Sequence, residues 1–351
     1  MALPRGMCGI FGCISDDASA IVLEGLRKLE YRGYDSAGLA AIFPEHEGPI
    51  QTERTTGFVS DLVSKANGRF KGAEISIGHT RWATHGGVTD SNAHPHSSND
   101  GDITIVHNGI IENFEALKQK MLELGYEFES ETDTEAIAHA IQHLLKVSGD
   151  LANAVRETVA DLEGAYALAV MSITDPGRLV IARAGCPAIV GIGEGENFVA
   201  SDIAALLPVT RNYMILDEGD IAVVDRTSVT VFDKEGNETS RDVIESELTA
   251  DAAERGDFGH YMQKEIHEQG RAVSNTLEER TANGKVLDAA FGPQAVDVLD
   301  NTKGIHIVAC GTSYHAGLIA RYWIEDLCRI PCSVEIASEY RYRTPAVPDN
   351  T

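Results

Sequence analysis

The sequence predicts an α+β fold in which two stacked sheets are flanked by helices, followed by the beginning of a parallel α/β unit. Up to about residue 228, short apolar runs that suit strands are separated by tight turns, and stretches with helical spacing interrupt them. This mixture favours antiparallel hairpins over a doubly wound parallel sheet. After Gly304 the chain has one strand–loop–helix pattern, which is typical of a parallel sheet.

The first elements follow from the spacing of apolar residues. Cys8–Ser15 is an apolar run with two glycines and predicts a buried strand. Residues 19–31 place Val22, Leu26 and Leu29 on one side, which predicts a helix. The same two periodicities then predict, in chain order, the strand Leu39–Phe43, a helix over 56–66, the strand Glu74–His79, the strand Ile103–Val106 and a helix over 114–124.

A helix-start signal opens the next stretch. Thr132-Asp-Thr-Glu135 has the form of a capping box and predicts a helix that runs to about Leu145. Apolar runs between turns follow it and predict the strands Tyr166–Ile173, Leu179–Arg183, 187–192, 197–200 and 220–224.

A change of composition divides the chain. Residues 242–257 hold six acidic residues and one basic residue, which predicts an exposed connector. His260–Leu277 has helical spacing, and the strand Ile305–Ala309 leads through the loop Cys310–Ser313 into a helix from about Tyr314 to Leu327. We expect a first domain over residues 8–228, a linker over 229–294 and the start of a second domain over 295–351.

The overall charge limits the partners of the protein. The formal net charge is −25, so we expect repulsion from nucleic acid phosphates and anionic membranes, and neither as a partner. No apolar run approaches the length of a membrane span, and Met1–Gly6 lack a signal-peptide core, which favours a cytoplasmic protein. The six cysteines form no C-x-x-C pair and suit a reducing compartment.

Cys8 is the first residue that suggests chemistry. A thiol attacks an amide only as a thiolate, so it needs a base or a lowered pKa. The chain's own α-amine can be that base when the nucleophile is residue one, and a start at Met7 followed by removal of that Met would expose Cys8. Taken alone, Cys8 is better explained as a buried strand residue, like Cys13.

Six motifs resemble, in order and approximate spacing, the glutaminase domain of class II amidotransferases, an N-terminal-nucleophile hydrolase fold. They are Met7-Cys-Gly-Ile-Phe-Gly12, Arg32-Gly-Tyr-Asp-Ser36, His79-Thr-Arg-Trp-Ala-Thr-His-Gly86, Asn92-Ala-His-Pro-His96, His107-Asn-Gly-Ile-Ile-Glu-Asn113 and Glu131-Thr-Asp-Thr-Glu135. Any one is weak, and the set is specific. The resemblance implies a four-layer αββα fold and hydrolysis of L-glutamine by Cys8.

The resemblance also implies a role for several residues around glutamine. Arg81 corresponds to the arginine that binds the α-carboxylate, for which a planar guanidinium is suited, and Asp133 to the carboxylate that binds the α-ammonium. The side-chain NH2 of Asn108 and the backbone N–H of Gly109 correspond to the oxyanion hole. The remaining correspondences are Thr84 and His85 in the glutamine-binding loop and Trp82 as the gate for ammonia.

The histidines between 79 and 107 raise the question of a metal. Five lie there, but their spacing is not H-E-x-x-H and no Cys pair accompanies them. We therefore expect no metal and no cofactor, and expect these rings to hydrogen-bond the loops around the pocket.

The acceptor of the ammonia must be inferred from the second part of the chain. Tyr261–Gln269 and Cys310-Gly-Thr-Ser-Tyr314 resemble the linker helix and the start of the first sugar isomerase (SIS) domain of the family branch that converts D-fructose 6-phosphate into D-glucosamine 6-phosphate. Thr312 and Ser313 correspond to sugar-phosphate residues, since hydroxyls and N–H groups at a helix N-terminus suit a phosphate, although helix capping explains them too. The branch continues past Thr351 and forms homodimers, so we expect an incomplete synthase half and glutaminase activity alone.

Two other interpretations stay open. Another class II amidotransferase, acting in phosphoribosyl-pyrophosphate amination or asparagine synthesis, would share the region around Cys8, although Cys310–Ser313 argues against it. A non-catalytic module that senses glutamine or a sugar phosphate would retain Met1–Gly6 and leave Cys8 blocked.

Overall fold

The computed structural model of the chain describes residues 8–32, 34–43, 48–83, 86–246, 256, 258–277, 281–282, 285–286 and 295–351. The chain divides into two units, with the boundary between Gly256 and Asp257.

The first unit alternates strands and helices up to Ser246. Its strands are β1 Gly9–Ile14, β2 Ser36–Ile42, β3 Gln51–Thr56, β4 Ile75–Arg81, β5 His96–Ser97, β6 Ile103–Ile111, β7 Gly164–Ser172, β8 Arg178–Ala184, β9 Ile189–Ile192, β10 Asn197–Ala200, β11 Asn212–Ile215, β12 Ile221–Asp225, β13 Val229–Phe232, β14 Glu238–Thr239 and β15 Val243–Glu245. Its helices are α1 Ala18–Leu29, α2 Val59–Ala66, α3 Phe114–Glu123, α4 Asp133–Ser148, α5 Leu151–Ala160 and α6 Ile203–Leu206.

These strands form two antiparallel sheets. The first sheet has the order β15-β11-β9-β10-β1-β4-β2-β3, and the second has the order β14-β13-β12-β8-β7-β6-β5. Pairing in the second sheet continues beyond residue 228 through β13 and β14. The predicted antiparallel hairpins are present, for example between β7 and β8.

Three apolar cores stack these elements into four layers. The middle core lies between the sheets and combines residues such as Ile77 of β4 with Ala169 of β7. A second core packs α1, α2 and α6 on the first sheet, with Phe11 and Leu26 fully buried. A third packs α3, α4 and α5 on the second sheet, with Ile105 at its centre. Each sheet thus buries both faces, and the predicted α+β arrangement of layers αββα is confirmed.

Two glycines let backbones approach closely beside the middle core. Gly109 of β6 has a φ of 127°, and a Cβ there would lie 1.9 Å from the Ala165 carbonyl oxygen of β7. Gly38 of β2 meets the His94 carbonyl oxygen, which would lie 2.2 Å from its Cβ. Both positions therefore require glycine.

The capping box predicted at Thr132–Glu135 was wrong, although the helix it announced exists. Thr132 is the residue before α4, but its hydroxyl faces Ser130 and His96 and forms no side-chain cap in the described structure. The Glu135 carboxylate accepts hydrogen bonds from the N–H groups of Glu129 and Ser130 instead. The preceding loop therefore takes the groups that a capping box would use.

Several other element bounds differ from the predictions. The helix predicted over 56–66 begins at Val59, because the strand β3 occupies the residues before it. The helix α5 was not predicted. The predicted connector begins with the exposed edge strand β15, and residues 247–255 and 257 of that connector lie outside the described residues.

The second unit contains a short parallel pair of strands with helices. Its elements are α7 Tyr261–Leu277, β16 Thr281–Ala282, β17 Lys285–Val286, α8 Ala295–Asn301, β18 Ile305–Ala309, α9 Gly311–Trp323, β19 Cys332–Ile336 and α10 Ala337–Arg341. The strands β18 and β19 pair in parallel, as the strand–loop–helix pattern predicts. The predicted loop at Cys310–Ser313 was too long, because α9 already begins at Gly311. Among the described helices of either unit, none is both long and apolar enough to span a membrane.

Candidate active site

Cys8 lies directly before β1, beside the end of β4. The Trp82 N–H donates a hydrogen bond to Cys8 Sγ at 3.2 Å. Burial raises the pKa of the thiol, and the smaller effects of the Trp82 N–H and the Arg81 charge, which lower it, do not offset this. The thiol is therefore protonated at neutral pH, and a base must remove its proton before Cys8 can act as a nucleophile.

Two opposite charges lie in the pocket that Cys8 borders. Arg81 ends β4 and is 3% exposed, and Asp133 begins α4 and is 5% exposed. An Arg81 Nη1 donates to the Gly87 carbonyl oxygen at 3.2 Å, and Asp133 Oδ2 accepts from the Ile111 N–H at 3.0 Å. The pocket is lined by Cys8, Arg81, Trp82, His94, His107, Gly109, Thr132, Asp133 and Thr134. A guanidinium and a carboxylate in one pocket match the two charged groups of a free α-amino acid.

The Asn108 amide faces Cys8 from the second sheet. Asn108 Nδ2 donates to the Cys8 carbonyl oxygen at 3.2 Å. The next residue, Gly109, lines the same pocket. Asn108 and Gly109 of β6 thus lie beside Cys8, which precedes β1 of the other sheet, and this is the arrangement an oxyanion hole needs.

The structure covers only part of the loop that follows β4. Trp82 borders the pocket and is half-buried, whereas Thr84 and His85 lie outside the described residues. The predicted roles of these three residues stay predictions. The loop resumes at Gly86, whose φ is 73° and whose Cβ would lie 2.7 Å from Asn92 Nδ2.

Two carboxylates hold this loop at its ends, and sequence reasoning assigned no role to either. Asp35 accepts a hydrogen bond from the Ala83 N–H. Glu131 Oε2 accepts from the Gly87 N–H at 3.1 Å and from Asn92 Nδ2 at 2.9 Å. Both acids belong to motifs that carry the family resemblance, which was the available signal.

Four buried imidazole rings lie at the pocket, where His94 and His107 form part of the lining, and we call them the histidine cluster: His79, His94, His96 and His107. His94 stacks on His79 with ring centroids 4.1 Å apart and meets His96 edge-on at 4.8 Å. Burial lowers the pKa of His79 and of His96 to about 3, and that of His94 well below its usual value. These three rings are neutral at pH 7. Over the described ranges, no group of three His, Cys, Asp or Glu side chains is placed to hold a metal ion.

Thr312 and Ser313 lie in the second unit, in the first turn of α9. The residue before that helix is Cys310, which has an extended backbone. Thr312 and Ser313 are inside the helix and are not its N-cap, so the capping explanation offered for them is wrong. Their side chains are exposed.

The fold and this pocket define a protein with two stacked antiparallel sheets and a buried thiol at the pocket, and comparisons with known proteins identify the family. A profile for the glutamine amidotransferase domain matches residues 51–243, and one for the SIS domain matches residues 299–351. The chain belongs to the glutamine amidotransferase family.

Individual relatives are similar along nearly the whole chain. The glutamine–fructose-6-phosphate aminotransferase [isomerizing] of Idiomarina loihiensis is 52% identical over 346 residues, which are 98% of this chain and 56% of that protein. The protein of the same name from Shewanella oneidensis is 52% identical over 338 residues, 96% of this chain and 55% of that protein. The chain thus spans about half the length of the curated relatives it matches.

A solved structure with the same fold is the glutamine phosphoribosylpyrophosphate amidotransferase from B. subtilis. Its TM-score is 0.58 at 19% identity, and the match covers 97% of this chain and 69% of that one. This likeness supports the fold of the amidotransferase unit.

Proposed function

We propose that the chain hydrolyses L-glutamine to glutamate and ammonia through a thioester on Cys8, as the glutaminase half of a glutamine–fructose-6-phosphate aminotransferase. The observation that carries the proposal is the convergence of Cys8, Arg81, Gly109 and Asp133 on one pocket, with the Asn108 amide hydrogen-bonded to the Cys8 carbonyl oxygen. These residues come from separate segments of the sequence and from both sheets.

Substrate binding follows from the two buried charges. Arg81 holds the α-carboxylate of glutamine and Asp133 its α-ammonium, and Thr84 and His85 also bind glutamine. Both charges are nearly excluded from water, so each interaction is stronger than it would be on the surface. The side-chain amide is thereby directed towards Cys8.

The chemistry requires Cys8 to be the first residue of the mature chain. Its α-amine then takes the thiol proton, and the thiolate attacks the amide carbon. Asn108 Nδ2 and the Gly109 N–H stabilise the oxyanion. The ammonium returns its proton to the leaving amide nitrogen, ammonia departs, and water attacks the thioester to release glutamate.

In the longer protein we propose that the ammonia passes Trp82 and reacts with D-fructose 6-phosphate to give D-glucosamine 6-phosphate. Thr312 and Ser313 bind the sugar phosphate at the start of α9, where both residues are exposed next to the backbone N–H groups of the first helical turn. The full-length enzyme acts as a homodimer in the cytoplasm. No metal and no cofactor take part in this proposal, and neither nucleic acid nor a membrane is a partner.

The decisive experiment compares two forms of the same chain, one that begins at Cys8 and one that retains residues 1–7. We expect equimolar glutamate and ammonia from the first form only, and no product after Cys8→Ala. As a matched control, Cys13→Ala removes the neighbouring buried thiol and leaves the products unchanged. Glutamine binding without turnover in both forms would support the sensing module instead.

A further inference from the structure

We propose that His79 is a positioning residue that fixes the Asn108 side-chain amide with its NH2 group towards Cys8. This inference deepens the proposed function and rests on it, because Asn108 is there the donor to the oxyanion. His79 does not itself line the pocket, although it stacks on His94, which does. The side chain that its Nε2 hydrogen-bonds is that of Asn108, so its effect on the reaction passes through this amide.

His79 bridges the two sheets from the first to the second. It lies on β4 and is 1% exposed. Its Nε2 is 2.9 Å from the His107 carbonyl oxygen and 3.0 Å from Asn108 Oδ1, both on β6. The same ring nitrogen, Nε2, is thus within hydrogen-bonding distance of a backbone oxygen and of the Asn108 side-chain amide.

The backbone oxygen decides which way the amide points. A carbonyl oxygen only accepts, so Nε2 of His79 must carry a hydrogen. The atom of Asn108 that faces this N–H must then be the oxygen, because the amide nitrogen would bring a second donor against it. The NH2 group is consequently left on the other side, where Nδ2 donates to the Cys8 carbonyl oxygen at 3.2 Å.

The orientation matters because the reversed amide would oppose the reaction. The terminal torsion of Asn is broad, and the two ends of its amide are similar in size. In the reversed orientation Oδ1 would face the developing oxyanion, which replaces attraction by repulsion. An orienting partner therefore serves catalysis even though it touches no substrate.

The neighbours of His79 keep its ring neutral and in place. His94 stacks on it, and the Nδ1 of His94 accepts from the His107 N–H at 3.3 Å, so the His94 hydrogen is on Nε2. Burial lowers the pKa of His79 to about 3, which leaves a single N–H on its ring at neutral pH. Nδ1 of His79 has no hydrogen-bond partner among the described residues, so the N–H is at Nε2.

The kinetic test uses His79→Leu and His79→Gln in the chain that begins at Cys8. For His79→Leu we expect kcat to fall roughly 10- to 100-fold, somewhat less than the loss of a whole oxyanion donor, with little change in KM because Arg81 and Asp133 are untouched. His79→Gln, which keeps an N–H donor, should recover part of this loss. His139→Leu, which removes another fully buried imidazole, is the matched control and should leave kcat unchanged.

A double-mutant cycle separates positioning from plain packing. In an Asn108→Ala background, His79→Leu should change kcat by no more than about twofold, because the side-chain amide that His79 orients is absent. An equal fall of kcat in both backgrounds, or a rise in KM alone, would overturn the proposal.

A measurement without catalysis keeps this proposal distinct from the proposed function. Imidazole ¹⁵N spectra should show His79 as the Nε2–H tautomer. The Asn108 side-chain NH2, assigned by its loss in Asn108→Ala, should exchange slowly in the wild type and faster in His79→Leu. Unchanged exchange in a folded His79→Leu overturns the inference, and an Nδ1–H tautomer in the wild type overturns it even if His79→Leu does not fold. A wild-type chain that lacks glutaminase activity but passes this test contradicts only the proposed function.

Discussion

Acid should destabilise the first unit through its histidine cluster. The pKa values of His79, His94 and His96 lie far below that of an exposed histidine because the rings are buried. When the pH falls through about 6.5, the unfolded chain takes up protons that the folded chain does not, so the stability falls with the pH until the folded rings titrate. The window for the two printed values extends from about 6.5 down to about 3.

The size of the effect follows from these pKa values. Each ring contributes a slope of about 1.4 kcal/mol per pH unit inside the window, and three rings together remove about 6 kcal/mol of unfolding free energy between pH 7 and pH 5. That is comparable to the whole stability of a typical domain, about 5–15 kcal/mol. Glu135, with a pKa lowered to about 2, adds nothing in this range because its stabilisation is lost only below its ordinary pKa.

Urea denaturation between pH 7 and pH 5 measures this slope. The chain has two tryptophans, Trp82 in the first unit and Trp323 in the second, so Trp323→Phe leaves a fluorophore that reports on the first unit alone. His96→Gln should reduce the slope by about one third, whereas Gln119→Ala, at an exposed and uncharged position, should not. A slope below about 1 kcal/mol per pH unit, or one unaffected by His96→Gln, would refute the reasoning.

Three further predictions concern the pocket. Asp133→Asn should raise the KM for glutamine about 30- to 100-fold in a glutaminase assay, since a buried charged hydrogen bond is lost. The control Asp161→Asn, at an exposed position, should leave this KM unchanged. An unchanged KM in Asp133→Asn contradicts a role of Asp133 in binding the α-ammonium. Gly109→Ala should abolish activity and lower the urea midpoint of unfolding. The φ of 127° at this position alone costs about 1–3 kcal/mol in a residue with a Cβ. An unchanged urea midpoint would contradict this prediction. Glu131→Ala should raise KM severalfold with a smaller change in kcat, since the Gly87 N–H loses its hydrogen bond to Glu131. Glu127→Ala serves as the control. Equal effects of the two substitutions would exclude a role for Glu131 in holding the loop.

The strongly patterned parts of the fold could be predicted from sequence. The strand β1 and the helix α1 have clear apolar periodicities, and both appear near their predicted bounds. The strand β3 was missed because Gln51–Thr56 is polar almost throughout and pairs only at the edge of the first sheet. The predicted capping box at Thr132 does not form, because N–H groups of the preceding loop donate to the Glu135 carboxylate in its place.

The candidate site divides in the same way. Cys8, Arg81, Asn108 and Asp133 lie in motifs that can be compared with a known family, so their convergence could be expected. The contact between His79 and Asn108 could not be, because it joins residues of different sheets whose stacking no local pattern specifies. The same holds for Glu131, whose partners belong to a loop that precedes it by about forty residues.

The pocket joins Cys8 and Arg81, at the ends of β1 and β4 of one sheet, to Gly109 of β6 in the other sheet, with Asp133 of α4 beside them. Catalytic rate should therefore report on the spacing of the two sheets. An added methyl group in the middle core, for example at Ala169, pushes the sheets apart before it unfolds them. The proposed glutaminase activity should then respond to a change in core packing before the melting temperature does. Screens for improved stability of this unit should therefore measure turnover as well as thermal unfolding.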